Sequence, residues 1–231
     1  MKEASVRTTQ TPSDTIESVL DRLNKSAEKI DPERRKQEES KRETARDNFD
    51  HQRISEILES SGAPKRQLVA TTLDRAGEWE QTRCKLSNKL GSGFTISLIG
   101  TRGCGKTQLG VELMRQVAQD FKRPKFCSAM EFFMRIKAGY RQDGEPEEKI
   151  IGQFTRPELL VIDEIGQRSE NEWENRLLYE LLNRRYNAVV DTLLISNQDI
   201  AQLQLSLGPS LVSRMRETGG VIECNWPSYR K

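Results

Sequence analysis

From residue 51 onward the chain alternates two patterns. Short apolar runs occur at "FTISLI" (94–99), "KFC", "LLVID", "DTLLIS" and "GVIEC". Segments with apolar residues every three or four positions lie between them. The runs read as strands, and a continuous run such as "ELLVID" fits a strand covered on both faces. The periodic segments read as helices. "RISEILESSG" stops at Gly62, with Pro64 just beyond, and "TRCKLSNKL" is a helix tail. Residues 108–121 place Leu109, Leu113, Val117 and Phe121 on one helix face. Further helices are expected in "SAMEFFMRIKAGYR", with Phe132, Phe133 and Ile136 in the core, in "LLYELLNRRYNA", and in "SLVSRMRETG", which ends at Gly219. Strands alternating with helices predict an α/β fold with a mostly parallel sheet flanked by helices.

Residues 1–50 follow neither pattern. They are polar and charge-rich, a composition that cannot bury a core. One island, "TIESVLDRLNKSAEKI", sets Ile16, Val19, Leu20, Leu23, Ala27 and Ile30 on one face of an amphipathic helix over about 15–30. Ser13 or Asp14 is suited to cap it. Such a helix packs on its own domain or docks into a groove on a partner, and the pattern leaves both open. "DPERRKQEESKRETARDNFD" has mixed charge and no apolar face, and reads as a solvated helix or a linker. The division expected is a charged, partly helical N-terminal segment and linker, 1–50, and a globular domain, 51–231.

Composition narrows the function. The 231 residues have room for one core domain plus extra segments. A net charge of +2 means that any nucleic-acid site is local. The four cysteines are widely spaced, and one histidine, His51, cannot build a zinc site. No apolar run approaches the ~20 residues of a membrane span. The first residues contain no apolar stretch of the kind that directs secretion. A cytoplasmic protein with free thiols and no membrane partner is expected.

The chemistry concentrates in "SLIGTRGCGKTQLG". Gly100, Thr101, Arg102, Gly103, Cys104, Gly105, Lys106, Thr107 and Gln108 make a Gly-x-x-x-x-Gly-Lys-Thr loop between a strand and a helix. The glycines let backbone N–H groups converge on a phosphate at the helix's positive end. Lys106 reaches the β- and γ-phosphates, and Thr107 is a Mg²⁺ ligand. Cys104 is either an indifferent loop position or a thiol made reactive by the lysine and the helix end. In "LLVIDEIG", Asp163 is a second Mg²⁺ ligand and Glu164 activates the attacking water. "LLISN" ends at Asn197, suited to hold that water or the γ-phosphate. "SRMRE" offers Arg214 and Arg216, either surface residues or cations that complete a neighbouring subunit's site.

Taken in order, "GTRGCGKT", "LLVIDEIG", "LLISN", "LVSRMRE" and "NWPSYR" resemble the DnaC/DnaI-type replicative helicase loaders. These belong to the AAA+ ATPases, close to the IstB-type transposition helpers. The resemblance covers residues 51–231. It implies an AAA+ core without a separate lid domain and ATP as the nucleotide. It also implies subunits that stack into a helical or ring-like oligomer, so that Arg214 of one reaches ATP held by the next, with Arg216 as the alternative. The cargo implied is a DnaB-type hexameric helicase placed on single-stranded DNA. The N-terminal segment would grip it through Ile16, Val19, Leu20 and Leu23. For the DNA, the implied contacts are Arg135, Lys137, Tyr140 and Arg141 in one segment and Arg168, Asn171 and Trp173 in another. Two other readings stand beside this one: a transposition helper assembling on double-stranded DNA, and a nucleotide-gated adaptor whose hydrolysis is incidental.

Overall fold

The structure is a computed structural model that describes residues 32–69 and 77–229. Its contacts divide the chain into two units, Met1–Asp50 and His51–Lys231. Of the first unit, the described part is helical and its side chains from Lys36 to Phe49 are exposed. The amphipathic helix expected over residues 15–30 lies outside the described residues.

The second unit is a layered α/β domain. Helix α1 (Pro32–Ser60) begins in the first unit, and its last turns deliver Leu58 to the core of the second. It is followed by α2 (Lys65–Val69), α3 (Glu78–Ser87), β1 (Thr95–Ile99), α4 (Lys106–Gln119), β2 (Pro124–Ser128) and α5 (Ala129–Gly139). Then come α6 (Glu147–Thr155), β3 (Leu159–Asp163), α7 (Glu172–Asn187), β4 (Asp191–Ile195), α8 (Ile200–Leu207), α9 (Pro209–Thr218) and β5 (Gly220–Glu223). The five strands are all parallel, in the order β2-β3-β4-β1-β5. Among the described residues no helical domain follows β5.

Alternation along the strands feeds two cores. Ile96, Leu98, Val161, Leu193 and Ile195 face one side, with Leu109, Leu113 and Val117 of α4 and Trp79 and Leu86 of α3. Leu160, Ile162 and Leu194 face the other, with Phe132, Phe133, Phe154, Leu177, Leu181, Leu203 and Met215. The helix leaving β1 therefore packs on one face, and the helices leaving β4 pack on the other. Such a reversal opens a crevice at the C-terminal ends of these neighbouring strands, where parallel sheets bind ligands.

Three features differ from the pattern-based expectation. Phe121 lies beyond the end of α4 in a left-handed conformation, φ 56°, and is exposed rather than on the buried face. Helix α6 was not anticipated, because it is short and carries Gly152. Helix α8, "IAQLQLSL", alternates leucine and polar residues like a strand. Asp199 and Gln202 form a reciprocal cap that starts it as a helix instead, and Leu205 is left exposed.

Arg185 joins the elements behind the sheet. It is fully buried, and Nη1 donates to the carbonyls of Phe154, Thr155 and Pro157, each at 2.9 Å. Nε donates to Thr192 Oγ1 at 2.8 Å and Nη2 to the Asp191 carbonyl. Burial pulls its pKa down to about 9. The cation thus closes the carbonyl end of α6 and the start of β4 together, in line with the helix dipole. Arg185→Ala would strand these acceptors and is expected to cost ~3–5 kcal/mol. The shift of the urea unfolding midpoint measures it. Arg185→Lys is expected to recover only part, because an ammonium cannot reproduce the planar fork.

Candidate functional site

The Gly-Lys-Thr loop connects β1 to α4 in that crevice. Gly100 leaves β1 with φ 139°, and a Cβ there would lie 2.6 Å from the Cys224 carbonyl oxygen. Gly105 precedes the helix with φ 86°, a left-handed cap that favours glycine. Lys106 is buried, with 5% exposure. Its ammonium donates to the carbonyls of Gly100 at 2.7 Å and Thr101 at 2.8 Å, and to Asn197 Oδ1 at 2.9 Å. These three bonds use all three of its protons. A phosphate must therefore displace at least one of them. Asn197, just past the end of β4, is the acceptor contributed from another strand.

Thr107 and Asp163 meet across the crevice. Thr107 Oγ1 donates to Asp163 Oδ2 at 2.7 Å. Two hard oxygens converging beside the phosphate loop fit a magnesium ion, which takes one or two protein oxygens and completes its shell with phosphate and water. Burial raises the Asp163 pKa, and the bonds from Thr107 and the Glu164 N–H oppose that rise. Glu164 follows in a left-handed conformation, φ 59° and ψ 38°. For a residue with a side chain this costs on the order of 1 kcal/mol or more. The bend is held by the Glu164 N–H on Asp163 Oδ1 at 2.7 Å. The Glu164 side chain is exposed, and Gln167 Nε2 donates to its carboxylate at 3.3 Å.

The loop is braced from outside by residues that sequence patterns did not single out. Trp226 Nε1 donates to the Cys104 carbonyl at 2.5 Å and the Tyr229 N–H to the Gly103 carbonyl at 2.9 Å. Trp79 Nε1 donates to the Gly105 carbonyl at 3.3 Å. Trp226, Tyr229 and Trp79 thus hold the carbonyls of Cys104, Gly103 and Gly105. "NWPSYR" had served only as a mark of resemblance, and nothing in the pattern around Trp79 marks it. Within the loop, Thr101 and Arg102 are exposed. The Gln108 side chain is engaged elsewhere, with the Gln67 carbonyl and Glu112, so only its backbone faces the helix N-terminus.

Arg214 and Arg216 sit on α9. Arg214 donates to Asn183 Oδ1 and lies over the rings of Tyr186 and Tyr179, at 5.1 and 5.7 Å. Arg216 is exposed. Of the residues expected at DNA, Lys137, Tyr140 and Trp173 come together. Lys137 Nζ is 5.0 Å from the Trp173 ring, and Trp173 Nε1 donates to Tyr140 Oη at 3.1 Å. Tyr140 is 56% exposed, whereas Trp173 is half-buried against Phe133. Arg141 is exposed. Arg135 turns to Gln153 and Phe154. Asn171 caps α7 by accepting from the Glu174 N–H at 2.9 Å. Arg168 is a correction: it is buried and donates to the Ser206 carbonyl, Ser206 Oγ and Asn175 Oδ1, so it is not a surface cation. Ile16, Val19, Leu20 and Leu23 lie outside the described residues. No helix among the described residues is long and apolar enough to cross a membrane.

The replicative helicase loader DnaC of Escherichia coli K12 is 26% identical over 132 residues, covering 57% of this chain and 54% of that protein. DnaC of Buchnera aphidicola subsp. Baizongia pistaciae is 28% identical over 146 residues, 62% of this chain and 58% of that protein. The chain therefore spans little more than half the length of these curated relatives. Among solved structures, the DnaC helicase loader superposes with a TM-score of 0.59 at 20% identity, covering 69% of this chain and 99% of that one. AMPPCP-bound DnaA from Aquifex aeolicus gives 0.56 at 21%, covering 64% of this chain and 47% of that one. The fold is thus that of these DnaC and DnaA structures. The family model described as IstB-like ATP binding protein matches residues 1–231. The chain belongs to the IstB-like ATP-binding protein family, and within it resembles the DnaC replicative helicase loaders.

Proposed function

We propose that this protein is an AAA+ ATPase that binds a DnaB-type replicative helicase and loads it onto single-stranded DNA. The observation that carries the reading is the convergence of Lys106, Thr107, Asp163, Glu164 and Asn197 at the ends of three neighbouring strands. Lys106 and the loop N–H groups bind the phosphates. Thr107 and Asp163 would hold magnesium, which neutralises charge on the phosphates when bound. Glu164 takes the proton from the attacking water, and Asn197, once Lys106 turns to phosphate, is free to position that water. Arg214, presented by Asn183 and two tyrosines, completes the site of an adjacent subunit. Lys137, Tyr140 and Trp173 form a basic and aromatic surface suited to stacked bases.

The match to an IstB-like family model over the whole chain supports a second reading, a transposition helper that assembles on double-stranded DNA. DNA form preference separates the two. Stimulation of ATP hydrolysis by duplex DNA over single strands would favour the second.

Glu164→Gln is expected to lower kcat by ~10²–10⁴ and leave ATP affinity within a few-fold. Steady-state hydrolysis with a fluorescent-nucleotide titration reads both, and unchanged kcat would remove Glu164 from the mechanism. The same variant tests an adaptor, which would still deliver helicase, whereas a loader that must release its cargo would stall. Arg214→Ala is expected to abolish hydrolysis while retaining ATP binding. Mixed with Glu164→Gln, it is expected to regain hydrolysis, because the arginine then comes from the neighbouring subunit; no regain would assign Arg214 a role within its own chain. Finally, the full-length chain is expected to capture a DnaB-type helicase, and Leu20→Asp with Leu23→Asp to abolish capture. Capture unaffected by these changes would place the grip elsewhere.

A further inference from the structure

The buried thiols around the phosphate loop have no role in ATP hydrolysis as described. Cys104 lies inside the loop and Cys224 just past β5, and both are buried in the same core cluster. Their backbones are pinned to one another's surroundings. The Cys224 N–H donates to the Ile99 carbonyl at 2.7 Å, at the strand end that starts the loop. Trp226, two residues on, donates to the Cys104 carbonyl at 2.5 Å. Cys224 also packs on Gly100 so closely that a Cβ there would lie 3.2 Å from the Cys224 Cβ. The two thiols influence one another's ionisation, Cys104 Sγ donates to the Thr101 carbonyl at 3.0 Å, and Lys106 Nζ is 3.6 Å from the Cys104 sulfur.

We propose that Cys104 and Cys224 are a redox pair. A peroxide links them into a disulfide that ties the phosphate loop to β5 and weakens nucleotide binding. This rests on the assignment of the loop as the ATP site. In the first step the Cys104 thiolate attacks a peroxide oxygen, the O–O bond breaks, and water leaves after protonation. The product is the Cys104 sulfenic acid. In the second step the Cys224 sulfur attacks that sulfur, the S–O bond breaks and a second water leaves. Two electrons pass from the sulfurs to the peroxide.

The surroundings divide the roles. The contact with Cys224 and the nearby Lys106 ammonium hold the Cys104 pKa down to about 6, which supplies the thiolate. The Cys224 thiol is pushed up, chiefly by its interaction with Cys104 and then by burial. Oxidation of Cys104 removes that anion, and with it the main obstacle to the second step. Both sulfurs are buried, so the oxidant must be small, and hydrogen peroxide is close to water in size. Cys127 cannot substitute. It belongs to the core on the opposite face of the sheet, and burial pushes its pKa to about 12.

The consequence for ATP is geometric. A disulfide brings its sulfurs to about 2.05 Å, well inside hydrogen-bonding contact. Closing it draws Cys104 toward β5 and moves the flanking N–H donors off the phosphate.

The test is peptide mapping of the full chain after hydrogen peroxide, with ATP affinity measured before and after. The expected result is a Cys104–Cys224 linked peptide, an ATP affinity at least tenfold lower, and recovery with dithiothreitol. Cys224→Ser is expected to bind ATP like the wild type when reduced, and to lose both the linked peptide and the thiol-reversible loss of affinity. Absence of the linked peptide overturns the proposal, as does a linked protein whose affinity stays within twofold. Reduced wild-type protein that binds no ATP would overturn the site assignment itself, and the proposal with it.

Discussion

The buried ammonium of Lys106 organises this domain. A cation with 5% exposure must have its protons bound, and here the acceptors come from the loop and from the end of β4. That requirement ties β1, the loop, α4 and β4 into one geometry. The loop can bend back over the ammonium because glycines stand at Gly100 and Gly105. Each bond that Lys106 makes here is also one that phosphate can exchange. On the proposed function, ligand binding is therefore a substitution at a preformed centre and requires no new fold.

Around this centre the supporting contacts come from far along the chain. Two of the three tryptophans, Trp79 before β1 and Trp226 after β5, donate to loop carbonyls. Glu164 sits in a left-handed bend held by its N–H on Asp163 Oδ1 and by the Gln167 N–H on its own carbonyl. Strain of this kind survives where packing over-determines it, and it commonly marks working groups. Arg185 does the equivalent on the other side of the sheet, without chemistry: one cation satisfies the carbonyls that the loops there cannot pair.

Much of this was legible in the residues. The Gly-Lys-Thr loop, the Asp163–Glu164 strand end and the apolar strands carry local signals, because phosphate cradles and buried strands demand particular residue types at short spacing. Helix α8 was not legible, since its leucines alternate like a strand and its cap decides the outcome. Arg168 read as a surface cation, yet it is buried against Ser206. Charge in a polar stretch does not say which side chain the neighbouring helix will cover.

The sequence by itself determined the fold class, the phosphate loop and the order of the acidic, asparagine and arginine segments. Those depend on local backbone preference and on burial period, which neighbouring residues encode. The tertiary structure alone decided that Lys106 meets Asn197 and that Trp226 braces Cys104. It also decided that Arg214 rests on Asn183 and over two tyrosines, and that Cys104 and Cys224 share one core cluster. These pairs are brought together by strand order and by which face each crossover helix takes. Such long-range closures belong to the packed sheet as a whole, and no short window of residues contains them.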